Sequence, residues 1–289
     1  MAEPSIAMIP SGYKAEKIYS VLPTNGNADL DFSRNSKATR INEQGLIEEM
    51  AVNVPILDYS DGTCPSLKLQ PQSTNLITYS EAFGNSYWTK SGATVTSGFS
   101  APSVDSPLGA FKLVEDSGNS KHQILASISS YTELTISFFA KKAERSFISV
   151  EKSSWGSTIF DLNDGSVVSG NGSVIDLGNG WYRCSASYTA SVSQTQFYIL
   201  LLEDGSSSNY QGDGVSGVYI YGMQAEVQSY ATSYIKTEGS TQTRLQDTAS
   251  KSGLENEINS EEGTLFVEIS ALSNDLTNRF IIVNDNTNN

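Results

Sequence analysis

The sequence predicts an all-β protein: an N-terminal attachment region, an antiparallel β-sandwich of the jelly-roll kind, and the start of a further β-domain. Three observations lead there. Short apolar or alternating runs recur roughly every ten residues from Trp88 to Ile235, Gly, Asn, Asp and Ser clusters separate them, and no helical period intervenes. Strands at that spacing fold into two facing antiparallel sheets. The 289 residues are enough for about two domains with cores of their own, and 38% hydrophobic content supplies the surface to bury.

Residues 1–79 hold short strand candidates between polar turns. A segment such as PSGYKAEKIYSVLPTNGNADLDFSRNSKATR has no long apolar run, so it cannot enclose a core alone and has to pack on the following sandwich or on another copy of the chain. It is assigned as an attachment and oligomerisation region. The sandwich is assigned to 80–236, with Trp88 in NSYWTK as its core anchor. TELTISFFAKK puts Leu134, Ile136, Phe138 and Ala140 on one face. SFISVEK offers Ile148 and Val150, and TIFDLNDGSVV carries Asp164 and Gly165 between two apolar runs, a hairpin signal. GNGWYRCSASYTAS opens on a tight turn and then alternates, with Tyr182, Cys184, Ala186 and Tyr188 on one side and Trp181, Arg183, Ser185 and Ser187 on the other. QFYILLLEDG is apolar on both faces, as a doubly covered strand would be, and GVYIYGMQAE completes the set. The polar stretch over 237–260 reads as a linker. TLFVEISALSND and RFIIVND read as the first strands of a further, truncated β-domain over 261–289, a pair too small to be stable by itself.

Charge narrows the function classes. Eighteen Lys and Arg against 32 Asp and Glu give a net charge of -14, which repels phosphate backbones and anionic lipid, so neither nucleic-acid binding nor membrane insertion is expected. No apolar run approaches the roughly 20 residues of a membrane-spanning helix, and MAEPSIAMIPSGYKAEK lacks the apolar core of a signal peptide, so synthesis in a cytosol is expected. Cys64 and Cys184 show neither a CxxC spacing nor a partner histidine and read as two unrelated buried thiols. The single histidine, His122, stands in NSKHQIL beside no Ser-centred elbow, which argues against a Ser-His-acid triad.

A sugar site needs a flat aromatic ring for the apolar face of a pyranose and planar polar side chains for paired hydroxyls. Trp181 and Arg183 share a strand face and meet that need; alternatively Trp181 packs across the sheet and Arg183 pairs with a surface acid. Trp155 in KSSWGST lies in a Ser- and Gly-flanked loop, where a large ring has less structural reason to be, and ranks as the better ligand contact. The loop LEDGSSSNYQGDG supplies Tyr210 as a further ligand contact. Its Asp204 and Asp213 are candidate oxygen ligands for a structural calcium ion, at a spacing that matches no EF-hand; a solvated loop is the alternative. No other cofactor is implied. The chain has many acids, but none stands in a catalytic motif, and the repeats of a long β-helix are absent, so a non-enzymatic role is expected.

Five passages in order, SRNSKATRINEQGLIEE (33–49), VPILDYSDGTCPSLKLQPQSTNLITYSEAF (54–83), DLGNGWYRCSASY (176–188), GDGVSGVYIYGMQAE (212–226) and SYATSYIKTEGSTQTRLQD (229–247), resemble the head-fibre, tail-fibre and head-spike appendage proteins of tailed bacteriophages, with their carbohydrate-binding-module-like jelly roll. GTLFVEISALSND resembles the first strands of the concanavalin-like lectin domain that follows in such proteins. The resemblance implies a structural protein of the virion, assembled in the host cytoplasm. It further implies a homo-oligomer, a trimer, because fibres emerge along symmetry axes. The N-terminal region would hold other virion proteins, whether capsid, portal or tail, while distal parts meet host-surface glycan through many weak sites acting together. The alternatives are an architectural spike that binds no sugar and a secreted bacterial carbohydrate-binding module, which would carry a signal peptide.

Overall fold

The computed structural model describes residues 3–9, 12–62, 64–152, 156–259, 262–271 and 282. Two strands organise it, Gln123–Lys142 of 20 residues and Trp181–Leu202 of 22. Both are far longer than the usual strand of 3–10 residues. They run antiparallel, and their register slips between Ser127 and Glu133, where the ribbon passes from one layer to the other.

In the first layer the C-terminal half of Gln123–Lys142 pairs with the N-terminal half of Trp181–Leu202, placing Ile136 opposite Ala186 and Phe138 opposite Cys184. Gly217–Glu226, Ala110–Glu115 and Ala93–Phe99 continue this layer on one side and Gly172–Gly178 on the other. In the second layer the remaining halves pair, Ile124 opposite Ile199, flanked by Thr89–Ser91 and by Phe147–Lys152, Gly156–Asp161 and Ser166–Ser169. All these pairings are antiparallel, so the all-β sandwich read from the sequence is the fold. Asn179 and Gly180, at φ 53° and 76°, make the tight turn between the paired Gly178 and Trp181. Two successive positive φ values define a two-residue hairpin turn, for which Asn-Gly is the favoured pair.

Between the layers Leu134, Ile136, Phe138 and Ala140 meet Ile148, Val150, Phe160, Phe197, Ile199 and Leu201. Each large side chain buried this way contributes about 1.5–3 kcal/mol of hydrophobic stabilisation. Trp88 joins this core, 1% exposed, its ring 5.1 Å from Phe83 and its Nε1 donating to Tyr79 O at 2.9 Å.

The outer face of the first layer is covered too. Short hairpins of the N-terminal region, Ala38–Ile41 with Ile47–Met50 and Ile56–Asp58 with Ser66–Lys68, fold beside it. Ile47 packs there with Phe139, Leu177, Trp181, Tyr221 and Tyr234. The N-terminal region therefore finds its neighbour in its own sandwich. Consequently residues 134–140 are buried without interruption, whereas 123–128 alternate between buried and partly open.

Three sequence expectations need correction. The stretch 237–260 is more than a linker: Gln242–Arg244 pairs with Ser73–Asn75, and Thr248–Ser250 pairs with Leu30–Ser33. Polar composition concealed these strands because their side chains face solvent or ion pairs rather than an apolar core. Residues 262–271, expected as a strand, form no ladder and leave Phe266 85% exposed; RFIIVND lies outside the described residues except for Ile282. Of the two cysteines only Cys184 is buried, with burial pushing its thiol well above the usual pKa; Cys64 is exposed, just ahead of Ser66–Lys68.

Candidate functional site

The N-terminal region meets the sandwich and the C-terminal arm along a polar seam. Arg34, its side chain fully buried, donates Nη1 to Asp247 at 3.1 Å, Nη2 to the carbonyls of Ala51 and Val54 at 3.0 and 2.9 Å, and Nε to Ser36 O at 3.0 Å. Asp247 accepts from Gln70 N at 2.8 Å and lies 3.7 Å from Arg244, also buried. The second buried carboxylate, Glu226, accepts from Ser73 Oγ at 2.5 Å and Thr232 N at 3.0 Å. Buried Arg34 and Arg244 thus face the buried carboxylates of Asp247 and Glu226, the partners such charges require. Neutral bonds continue the seam. The Asn75 side chain donates to Met223 O and Ile235 O and accepts from Ile77 N and Ala225 N, and Thr39 Oγ1 donates to Tyr234 O at 2.7 Å.

Trp181 and Arg183 belong to this seam. Trp181 is 4% exposed and packs across the sheet. Arg183 Nη2 donates to Thr232 O at 2.5 Å and to Ser137 Oγ at 3.2 Å, and its guanidinium lies 5.6 Å from the Phe139 ring centroid. Burial pushes its pKa down, against the pull of Glu226 and Asp58. Its Nε makes no hydrogen bond with another described residue; beside it Asp58, Lys68 and Tyr234 line a cavity of about 20 Å³, room for one water molecule. The pair therefore does not form the sugar platform the alternation allowed, and Arg183 binds a carbonyl and a hydroxyl rather than a surface acid. Trp155 lies outside the described residues.

Tyr210 is also buried, at 4% exposure, which corrects its reading as a ligand contact. Its hydroxyl donates to Glu115 Oε2 at 2.7 Å, and Arg145 clamps the same carboxylate through Nε at 2.8 Å and Nη2 at 2.7 Å. Asp213 N adds a bond to Oε1 at 3.0 Å, so Glu115 is the hub that brings Tyr210 and Asp213 together. Burial pushes the Glu115 carboxyl up, but the Arg145, Tyr210 and Asp213 donors more than reverse it and hold it below the usual carboxylate range. The His122 ring stacks 4.5 Å from Tyr210, with its nitrogens facing Gly92 O and Tyr210 O.

Asp213 and Asp204 cap their own turns instead of converging on an ion. Asp213 accepts from Val215 N, Ser216 N and Ser216 Oγ at 2.8, 2.7 and 2.6 Å. Asp204 accepts from Ser206 N and Ser207 N at 2.8 and 2.6 Å, and these amides pull its carboxyl down to about 2. Among the described residues no three His, Cys, Asp or Glu side chains are grouped to hold a metal ion.

An open cleft of about 360 Å³ lies where Ser73–Asn75 meets the end of Gly217–Glu226, lined by Gln72, Thr74, Leu76, Tyr131, Val227 and Gln228. Tyr131 stands on the register slip of Gln123–Lys142, half-buried against the core on the cleft's floor, as Leu76 is. The Gln228 amide is oriented by donating to Ser73 Oγ at 2.6 Å. The Tyr131 hydroxyl and the Gln72 amide make no hydrogen bond with another described residue. Sequence reasoning missed this site. The available signal was the break in alternation over SISSYTEL, where the chain carries a tyrosine between polar residues.

No protein-family model matches the chain, and no curated protein matches it. Among solved structures it is similar to the crystal structure of the enzymatically active domain of tailspike protein 4 of bacteriophage CBA120, at 20% identity and a TM-score of 0.25. That match covers 52% of this chain and 21% of the other, so the chain spans about a fifth of the structure it matches.

Proposed function

We propose that the chain is a structural appendage subunit of a tailed-phage particle, a head or tail fibre or spike, whose sandwich also adheres to host-surface glycan. One observation carries this reading: each passage that bears the appendage resemblance supplies a residue to the polar seam. Arg34 and Thr39 come from the first, Asn75 from the second, Arg183 from the third, Met223 from the fourth, and Tyr234 and Asp247 from the last. These residues lock the N-terminal region onto the sandwich, which supports a task of rigid attachment.

The reading is non-catalytic and needs no cofactor. Supporting it, the buried acids Glu115, Glu226 and Asp247 are each surrounded by their own donors rather than paired across a cleft. The N-terminal region is the side that holds other virion proteins and the copies of a homotrimer; its Ile9, Val21, Val52 and Leu69 stand 44–58% exposed, apolar surface suited to further contacts. Gold-conjugated antibody against the chain should decorate particles of the phage that encodes it, and particles without label overturn the reading. Light scattering should give a mass three times the chain's 31.2 kDa. A chain that labels particles but binds no glycan on an array is the purely architectural spike.

A further inference from the structure

The cleft at Tyr131 has the chemistry of a sugar subsite. Recognition of a pyranose needs an aromatic ring held still, planar amides that can donate and accept at once, and apolar surface beneath the C–H groups. Tyr131 is half-buried and packs against the core, which lowers the cost of ordering its ring on binding. Gln72 and Gln228 bring amides from two separate segments, and Leu76 and Val227 supply the apolar surface. The Tyr131 hydroxyl and the Gln72 amide have no hydrogen-bond partner among the described residues to give up. A volume of about 360 Å³ falls in the range of roughly 300–1,000 Å³ for small-molecule sites.

Charge selects the class of sugar. Among the described residues no charged side chain lines the cleft, and the whole chain carries a net charge of -14. A carboxylated or sulfated glycan would meet no cation there and a repulsive field on approach. We infer that this cleft binds a neutral hexopyranose unit of a surface glycan. The inference rests on the adhesive part of the function proposed above and assigns it to a place on the fold.

The test is a glycan array probed with the full chain, followed by titration of the best neutral oligosaccharide with the Tyr131→Ala and Gln72→Ala variants. The expected result is binding to neutral hexose-terminated glycans, weakened about tenfold by Tyr131→Ala and several-fold by Gln72→Ala. Gln72 is exposed and unbonded, so its variant should keep the wild-type melting temperature and guards against a mere folding defect. Neutral-glycan binding that both variants leave unchanged overturns the cleft while adhesion stands. Selective binding of acidic glycans overturns the neutral class. No glycan binding at all removes both the cleft and the adhesive reading, with particle labelling left as the separate measure of the structural role.

Discussion

The two faces of the first layer are buried by different chemistry. On the inner face Leu134, Ile136, Phe138 and Ala140 meet an apolar partner layer. On the outer face, one residue out of step, Thr135 and Ser137 lie under carbonyls, hydroxyls and the Arg183 guanidinium, beside the smaller apolar cluster that Phe139 joins. Hydrophobic burial is non-directional and tolerates repacking, whereas buried hydrogen bonds and charges tolerate only their own geometry. The inner face thus supplies most of the stability, and the outer face fixes where the N-terminal region sits.

The strongest challenge to that division is Phe138→Ala. It should cost about 3–5 kcal/mol in the urea midpoint and act on the whole molecule in one transition. Asp247→Ala should come next, at about 3 kcal/mol, because it strands Arg34 and Arg244 as buried cations without their shared carboxylate. Its signature is local: amide exchange should rise first in 30–41 and 242–250 while 134–140 stays protected. Equal loss of protection in both places would erase the distinction between the faces. Arg183→Met keeps much of the side-chain volume but leaves Thr232 O with only the longer bond from Gln224 Nε2 at 3.4 Å, a loss of about 1 kcal/mol confined to the seam.

Acid gives a weaker and broader probe. Glu115 has a folded-state pKa below its unfolded value, so its contribution is complete above about pH 4.3 and is lost as pH falls through the folded value. Unfolding midpoints measured from pH 6 down to pH 2 should therefore decline, and Glu115→Gln should flatten that decline. The smallest effect belongs to Asp204, an exposed turn cap. Asp204→Ala should leave the melting temperature within about 1 °C of wild type, in calcium or in chelator alike.

The inner face could be read from the sequence because its signal is local. LTISFFA alternates apolar residues at every second position, and Trp88 opens the domain as the core residue it proves to be. The outer face could not be read that way. Thr135 and Ser137 look like solvent-facing strand residues until something polar is laid over them: the Gln228 carbonyl over Thr135 and the Arg183 side chain over Ser137. The same blindness explains Trp181 and Arg183, which the alternation put on the less apolar side without revealing that this side has a roof. Arg34 and Asp247 lie 213 residues apart, and no local pattern announces such a pair. The Tyr131 cleft escaped for a related reason: it assembles from three segments, each unremarkable alone.

The pairing of Thr248–Ser250 with Leu30–Ser33 also bears on how the chain is made. Ser33 meets Thr248 across 215 positions, so on the ribosome the early strand waits roughly 10–40 s for its mate at ordinary elongation speeds. Throughout that interval the opening segment has a finished edge to offer and nothing to close it. Completion of this sheet is thus timed by the arrival of Thr248–Ser250, and a nascent chain released before that stretch emerges carries an open β edge into the cell.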